Sequence, residues 1–116
     1  MKVVIYHNPA CGTSRKVLAR LKEAGLEPEI VQYLKTPPDR KTLKALLKQM
    51  GKSVRDILRE RGTPYAELGL GDASVTDEAI FDAIEKHPVL IERPIVVIGD
   101  KAALCRPQEA VEALLA

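Results

Sequence analysis

The chain has 116 residues, of which 46% are hydrophobic and 29% charged, and its formal net charge is +2. This length and balance fit one folded domain and exclude a disordered chain. The small net charge and the 3% aromatic content argue against a nucleic-acid partner, because such partners are held by basic surfaces and stacked aromatic side chains.

No apolar run in the chain is long enough for a secretion signal or a membrane span; the first one covers only residues 3–6. We therefore expect a cytoplasmic protein that does not bind membranes. In a reducing compartment its two cysteines, Cys11 and Cys105, are expected to be catalytic or buried rather than joined in a disulfide.

The first third of the chain predicts a βαβ unit. Residues 3–6 are β-branched and apolar, which is typical of a buried strand, and residues 29–33 predict a second strand. Between them, apolar residues recur at helical spacing, and Gly25 lies where the helix should end. Because a helix connects the two strands, we expect them to be parallel.

The middle of the chain, residues 36–87, predicts an all-helical insertion. One helix is indicated by the apolar spacing up to Gly51, and a short helix that includes Arg59 begins at Ser53, where Asp56 completes a capping box. Residues 62–64 break this helix. Thr76 opens another helix whose apolar face is Ile80, Phe81 and Ile84.

The last part of the chain predicts a β-hairpin and a final helix. Residues 94–98 and 102–105 are the two strands, residues 99–101 are the turn, and Pro107 suits the first turn of the helix. The order βαβ, helices, ββα matches an α/β thioredoxin-like fold in one domain, residues 1–116. The alternative is a generic α+β domain with separate layers.

Cys11 is the candidate nucleophile, because it lies between a strand and the start of a helix. Free N–H groups and the dipole at a helix N-terminus favour a thiolate, and the same groups bind oxyanions. The residues that follow it strengthen this anion site: Gly12 allows close approach, Thr13 and Ser14 add hydroxyl groups, and Arg15 adds positive charge.

Other residues near this loop leave alternatives open. His7 is either a histidine bonded to the backbone or a positive charge that lowers the thiol pKa. Ser14 stands where a Cys-x-x-Cys motif would have its second cysteine, and a site with one thiol implies an external thiol such as glutathione. Cys105 is interpreted as a buried apolar residue in preference to a resolving thiol.

Three arginines have positions that suit anion binding, whereas most arginines are solvated. Arg93 and Arg106 each precede a proline at an element boundary. Arg59 lies on the short helix, just before the residues that break it. A guanidinium group binds tetrahedral oxyanions with two parallel hydrogen bonds. Composition and spacing therefore predict a site built from a thiolate and arginines, but they do not name its reaction.

Six blocks of the sequence together resemble the glutaredoxin-dependent arsenate reductase family. The match runs in order along nearly the whole chain, in residues 7–15 (HNPACGTSR), 33–38 (YLKTPP), 53–55 (SVR), 64–70 (PYAELGL), 93–97 (RPIVV) and 104–107 (LCRP). The resemblance implies a thioredoxin-like fold with a helical insertion. It also implies an oxidoreductase of arsenic detoxification and resistance that reduces arsenate to arsenite with glutathione and glutaredoxin.

The resemblance also implies roles for individual residues. Cys11 matches the nucleophile, and His7 matches a residue linked to a lower thiol pKa. Arg59, Arg93 and Arg106 match the oxyanion-binding arginines. Pro94 falls where thioredoxin-like folds have a cis proline. We expect no metal and no bound cofactor, with glutathione as co-substrate, and a monomer whose partners are arsenate, glutathione and glutaredoxin.

Two other functions fit the same fold. A regulator of the Spx type binds RNA polymerase, but such proteins carry a Cys-x-x-Cys switch, which Ser14 interrupts here. A generic glutathione-linked thiol oxidoreductase would use Cys11 to reduce a mixed disulfide without arsenate.

Overall fold

The computed structural model describes residues 1–116 as four strands, four α-helices and three 3-10 helices. The strands are β1 (Val3–His7), β2 (Glu29–Gln32), β3 (Ile95–Ile98) and β4 (Lys101–Leu104). The α-helices are α1 (Gly12–Glu23), α2 (Arg40–Met50), α3 (Asp77–Lys86) and α4 (Val111–Leu115), and the 3-10 helices are Val54–Ile57, Pro88–Leu90 and Gln108–Ala110. The chain forms two compact units. The first consists of residues 1–36 and 93–116, and the second of residues 37–92.

The first unit is built on a four-stranded sheet with the strand order β2-β1-β3-β4. β1 and β2 are parallel, as the helical connection predicts, whereas β3 is antiparallel to both β1 and β4. Ile5 of β1 faces Ile30 on one side and Val96 on the other. The βαβ and ββα halves therefore meet in one mixed sheet, which confirms the predicted thioredoxin-like fold.

The core of the first unit lies between this sheet and α1. All four residues of β3 are buried, in keeping with their β-branched, fully apolar sequence. α1 contributes Val17 and Leu21, which are spaced one turn apart, and α4 contributes Val111. Partly buried Leu114 and Leu115 pack against the same cluster, as predicted for the last helix.

The C-terminal end of α1 is closed by backbone hydrogen bonds around Gly25. Gly25 has a φ of 83°, and its N–H donates to the carbonyl oxygen of Lys22, while the N–H of Leu26 donates to that of Leu21. This is a Schellman motif, which requires a residue such as glycine with positive φ. The opposite end of α1 begins directly after Cys11.

Two boundaries near the C-terminus differ from prediction. β4 covers Lys101–Leu104 rather than residues 102–105, because Ile98 pairs with Lys101 across a two-residue turn whose first residue, Gly99, has a φ of 63°. Pro107 lies outside the helix: its backbone is extended, and it precedes the 3-10 helix Gln108–Ala110.

The second unit contains α2 and α3 at nearly the predicted places. The carboxylate of Asp39 accepts a hydrogen bond from the N–H of Thr42, and Gly51 ends α2 in the left-handed conformation. Thr76 caps α3 as predicted, by accepting from the N–H of Ala79. Arg40 at the start of α2 forms ion pairs with three carboxylates of α3, those of Glu78, Asp82 and Glu85.

The regular elements of the second unit are all helices, as predicted, but the end of the short helix differs from the prediction. The short helix is a 3-10 helix that ends at Ile57, and Leu58 forms a β-bridge with Ile91. Arg59 therefore follows the helix and is not part of it. Its backbone N–H donates to the carbonyl oxygen of Leu90 at 2.8 Å. The unit continues to residue 92. Our expectation of a single domain stays a prediction.

None of the helices has the length and apolar composition that crossing a lipid bilayer requires.

Candidate active site

Cys11 is the N-cap residue of α1, at the end of the cysteine loop (residues 8–11). Its backbone is extended, with a φ of −92° and a ψ of 122°, and its carbonyl oxygen accepts from the N–H of Arg15 at 3.0 Å. The N–H of Cys11 donates to the carbonyl oxygen of Asn8, also at 3.0 Å. These two bonds hold the residue at the mouth of the helix, where backbone N–H groups are available to an anion.

The surroundings of the Cys11 thiol favour its ionised form. Partial burial acts to raise the pKa, but the combined effect of four hydrogen-bond donors is larger. These donors are the backbone N–H of Ser14, the side chains of Arg93 and Arg106, and the backbone N–H of Thr13. The pKa of Cys11 is therefore lowered from its ordinary value.

Arg106 contacts the sulfur through its guanidinium group. Its Nη1 lies 3.6 Å from Cys11 Sγ and also donates to the carbonyl oxygen of Arg93 at 3.2 Å. The peptide bonds Arg93–Pro94 and Arg106–Pro107 are both cis. The backbone N–H of Cys105 donates to the carbonyl oxygen of Pro94 at 2.8 Å. The two predicted Arg-Pro boundaries thus meet beside the thiol.

His7 lies in surroundings that oppose a positive charge on its imidazole, and its influence on the thiol pKa stays a prediction. Its side chain is only 5% exposed, and its Nδ1 lies 2.6 Å from the hydroxyl oxygen of Ser14. Burial, together with the nearby charges of Arg15 and Lys22, lowers the pKa of His7 below its ordinary value. These surroundings favour the neutral form of the imidazole.

Arg15 and Gly12 have different surroundings from those expected of an anion site. The Nη1 of Arg15 donates to the carbonyl oxygen of Pro9 at 2.9 Å, so the side chain folds back over the cysteine loop. A Cβ atom built on Gly12 would come no closer than 3.8 Å to Arg15 Nη2, so contacts inside the protein do not require glycine here. Their roles toward an anion stay predictions.

Cys105 has the environment of a buried apolar residue. It is fully buried in the core of the first unit with Ile5 and Val96. Burial raises its pKa to about 12, so the thiol stays protonated. Of the two thiols, Cys11 is therefore the more accessible.

Arg59 belongs to the second unit and has protein partners there. Its Nη1 forms an ion pair with Glu92 Oε1 at 2.7 Å, and its Nε donates to the carbonyl oxygen of Arg61 at 3.0 Å. Both side chains of the ion pair are largely buried, with 18% and 21% exposed. The assignment of Arg59 to oxyanion binding stays a prediction.

Sequence reasoning missed the importance of Asn8. Its side-chain oxygen accepts from the N–H of Ala10 at 3.0 Å, and its backbone N–H donates to the hydroxyl oxygen of Ser14 at 3.2 Å. The Asn-Pro pair directly after a strand was the available signal, because asparagine side chains close turns by bonding to the backbone two residues on.

No group of three His, Cys, Asp or Glu side chains is arranged to hold a metal ion.

The sequence profile of the ArsC family matches residues 6–114 of this chain. The chain belongs to the ArsC family. It is 56% identical over 111 residues to the arsenate reductase of Rhizobium meliloti strain 1021, an alignment that covers 96% of this chain and 79% of that protein. It is 50% identical over 113 residues to the arsenate reductase of Escherichia coli K12, covering 97% and 80% of the two chains.

A solved structure supports the same assignment to the ArsC family. The arsenate reductase from Vibrio cholerae superimposes on this chain with a TM-score of 0.91 at 46% sequence identity, and the match covers 97% of each chain. The resemblance found in the six sequence blocks is therefore confirmed at the level of the family and the fold.

Proposed function

We propose that this protein is an arsenate reductase in which the Cys11 thiolate attacks arsenic. The observation that carries the proposal is the contact between Arg106 Nη1 and Cys11 Sγ at 3.6 Å, at the N-terminus of α1. The relatives named arsenate reductase, which align over nearly the whole chain, support arsenate as the substrate.

Arsenate is a tetrahedral anion at neutral pH, so it needs positive groups to approach a thiolate. Arg93 and Arg106 both stabilise the Cys11 sulfur, and the Thr13 and Ser14 N–H groups point to the same atom. These donors would bind arsenate oxygens and neutralise the charge that repels the nucleophile. We propose Arg59 as a third oxyanion-binding arginine, as the family resemblance implies.

The first chemical step forms a bond between Cys11 sulfur and arsenic. One arsenic–oxygen bond breaks, and that oxygen leaves as water after protonation. The sulfur must be ionised to attack, and its lowered pKa increases the fraction of thiolate at neutral pH. Arsenic is still pentavalent after this step, because an oxygen ligand has only been exchanged for a sulfur ligand.

The later steps use external thiols, because Cys105 is buried and protonated. Glutathione displaces a second oxygen from arsenic as water and forms a second arsenic–sulfur bond. Glutaredoxin then attacks the glutathione sulfur; a disulfide forms between them, and the electron pair of the broken bond stays on arsenic, which becomes trivalent. Water releases arsenite and returns the Cys11 thiol. Since the reaction consumes reduced glutathione, we propose that the protein works in the cytoplasm. We also propose that it acts as a monomer and without a bound cofactor.

A coupled assay tests this proposal. Arsenate-dependent NADPH consumption is measured with glutathione, glutaredoxin and glutathione reductase supplied. We expect turnover by the native chain and none by Cys11→Ser, because a serine hydroxyl does not ionise at neutral pH. Cys105→Ala is the matched control and should keep its turnover. Full activity of Cys11→Ser, or none in the native chain, would contradict the proposal.

A further inference from the structure

A carboxylate lies against one of the arginines that we assign to oxyanion binding. Glu92 Oε1 is 2.7 Å from Arg59 Nη1, and both side chains are largely buried. A negative charge at this position opposes the arrival of a second anion and offsets the positive charge that would attract it. The ion pair is therefore a cost to an oxyanion site, unless the carboxylate benefits Arg59 in another way.

The backbone brings these two side chains together. Two hydrogen bonds, of 2.7 and 2.8 Å, join residues 57–59 to residues 90–92 on either side of the β-bridge. In this antiparallel register Arg59 lies opposite Leu90, two residues away from Glu92. Because side chains two residues apart share a face of an extended segment, Arg59 and Glu92 are diagonal neighbours on one face. Their contact thus follows from the pairing of the two segments.

Arg59 is held both at its backbone and at its guanidinium group. Its carbonyl oxygen accepts from Thr63 Oγ1 at 2.7 Å, and its Nε donates to the carbonyl oxygen of Arg61 at 3.0 Å. Its Nη1 donates to Glu92. These side-chain bonds use two of the three guanidinium nitrogens, and Nη2 remains as the donor for an anion.

A guanidinium group that is already fixed binds an anion at a lower cost than a mobile one. An arginine side chain has several rotatable bonds, and their freedom is lost when a ligand immobilises it. In Arg59 that loss occurs on folding, because Glu92 and Arg61 hold the group. The carboxylate of Glu92 thus weakens the charge of the site but orients its donor in advance.

We propose that Glu92 is a positioning residue, whose carboxylate holds the Arg59 guanidinium so that Nη2 donates to the substrate oxyanion. The proposal rests on the proposed function in taking Arg59 as an oxyanion-binding residue. The site needs the hydrogen bond that Glu92 accepts and does not need its negative charge. A neutral acceptor at position 92 should therefore serve as well as a carboxylate.

Two neutral variants separate the acceptor from the charge. Glu92→Gln keeps an oxygen that accepts from Arg59, whereas Glu92→Leu has no acceptor. Glu67→Gln removes an exposed carboxylate of the same unit and is the matched control. The probe is sulfate, a tetrahedral dianion that thiols do not reduce, at constant ionic strength. The quantity measured is the sulfate concentration that halves the rate of Cys11 alkylation by iodoacetamide, relative to the same variant without sulfate.

We expect the half-protecting concentration to be about three- to tenfold higher in Glu92→Leu than in Glu92→Gln, because sulfate must then immobilise Arg59 itself. Glu67→Gln should match the native chain. In an Arg59→Met background, the two Glu92 variants should not differ.

Three results would overturn the proposal. Equal protection in Glu92→Gln and Glu92→Leu would show that the acceptor has no effect. A difference of the same size in the Arg59→Met background would show that Glu92 does not act through Arg59. An absence of sulfate protection in the native chain would show that no oxyanion is held beside Cys11.

Nitrogen NMR relaxation of the native protein gives a second test, which does not depend on how the variants fold. The order parameter of the Arg59 Nε–H bond is measured without an anion. We expect a value close to that of a rigid backbone, about 0.85, and a value below about 0.6 would contradict the proposal because the side chain would be mobile. Neither experiment involves turnover. The proposed function can therefore fail in the coupled assay while the two Glu92 variants still differ in sulfate protection, so the two failures are distinguishable.

Discussion

Two arginines of the first unit and two of the second have different partners, although the residue type is the same. In the first unit, Arg93 and Arg106 serve as hydrogen-bond donors to the Cys11 thiolate. In the second unit, Arg40 binds three carboxylates, and Arg55 donates to three backbone carbonyl oxygens, those of Leu70, Asp72 and Val75. A guanidinium group thus stabilises either a reactive anion or the fold, depending on the acceptors around it.

The two cysteines of the first unit differ in the same way. Cys11 has four donors and a lowered pKa, whereas burial raises the pKa of Cys105 to about 12. The two residues belong to the same small unit. Donors around the sulfur, and not burial by itself, therefore decide which thiol is reactive.

Arg106→Ala should have the largest effect on activity. The variant loses the guanidinium donor next to Cys11 Sγ, and a charge-assisted hydrogen bond contributes roughly 1.5–3 kcal/mol. We expect kcat/KM for arsenate to fall about ten- to hundredfold. The coupled assay measures this change.

Arg106→Lys is the control for this variant, because it keeps the charge but loses the planar donor group. We expect an intermediate activity. An Arg106→Ala protein with native kcat/KM would show that this guanidinium does not act on the reacting atoms.

Arg55→Met should lower stability but leave the chemistry of the thiol unchanged. The loop that contains residues 70–75 loses its three bonds to the guanidinium, at 3.0, 3.0 and 2.7 Å. Since water replaces part of this bonding, we expect the free energy of unfolding to fall by about 1–3 kcal/mol. Urea denaturation measures the loss.

Cys11 alkylation in folded Arg55→Met should proceed at the native rate, because Arg55 is not among the groups that stabilise the thiolate. A large change in that rate with native stability would contradict the different roles assigned to the arginines of the two units.

The smallest expected effect is a loss of stability in mild acid that depends on His7. Its pKa in the folded protein is lower than the ordinary histidine value of about 6.5 in the unfolded chain. Below that pH the unfolded chain binds a proton that the folded protein does not, so stability falls as the pH decreases toward the folded pKa. Above it both states are neutral and His7 has no effect.

Urea unfolding at pH 5 and pH 7 tests this dependence. The decrease in stability between the two pH values should be smaller in His7→Asn than in the native chain, while His87→Asn should behave as the native chain does. If His7→Asn and the native chain lose the same stability, His7 is not buried in its neutral form.

Local patterns predicted most of the fold. The β-branched run of β3 and the apolar spacing of α3 appear where the sequence places them, because burial on one or both faces imposes these patterns. The β-bridge between Leu58 and Ile91 was missed, since the partners are 33 residues apart and neither carries a local signal. Because Leu58 forms this bridge, the short helix ends before Arg59, which the sequence had placed on it.

Part of the candidate site could be predicted from the sequence. Cys11 and the two Arg-Pro pairs were recognised from their positions at element boundaries. The state of His7 was not, because it depends on a 2.6 Å contact with Ser14 and on the burial of both side chains. Residue type indicates that histidine can carry a charge, but only the donors and acceptors around it decide whether it does.

The most direct test of this account is a pH titration of the Cys11 thiolate in the native chain, followed by its ultraviolet absorbance with Cys11→Ser as the blank. The account predicts a midpoint below the ordinary cysteine value of about 8.5. It also predicts that the midpoint moves upward in Arg106→Ala. A midpoint at or above the ordinary value would contradict it, because the sulfur would then be protonated when arsenate arrives.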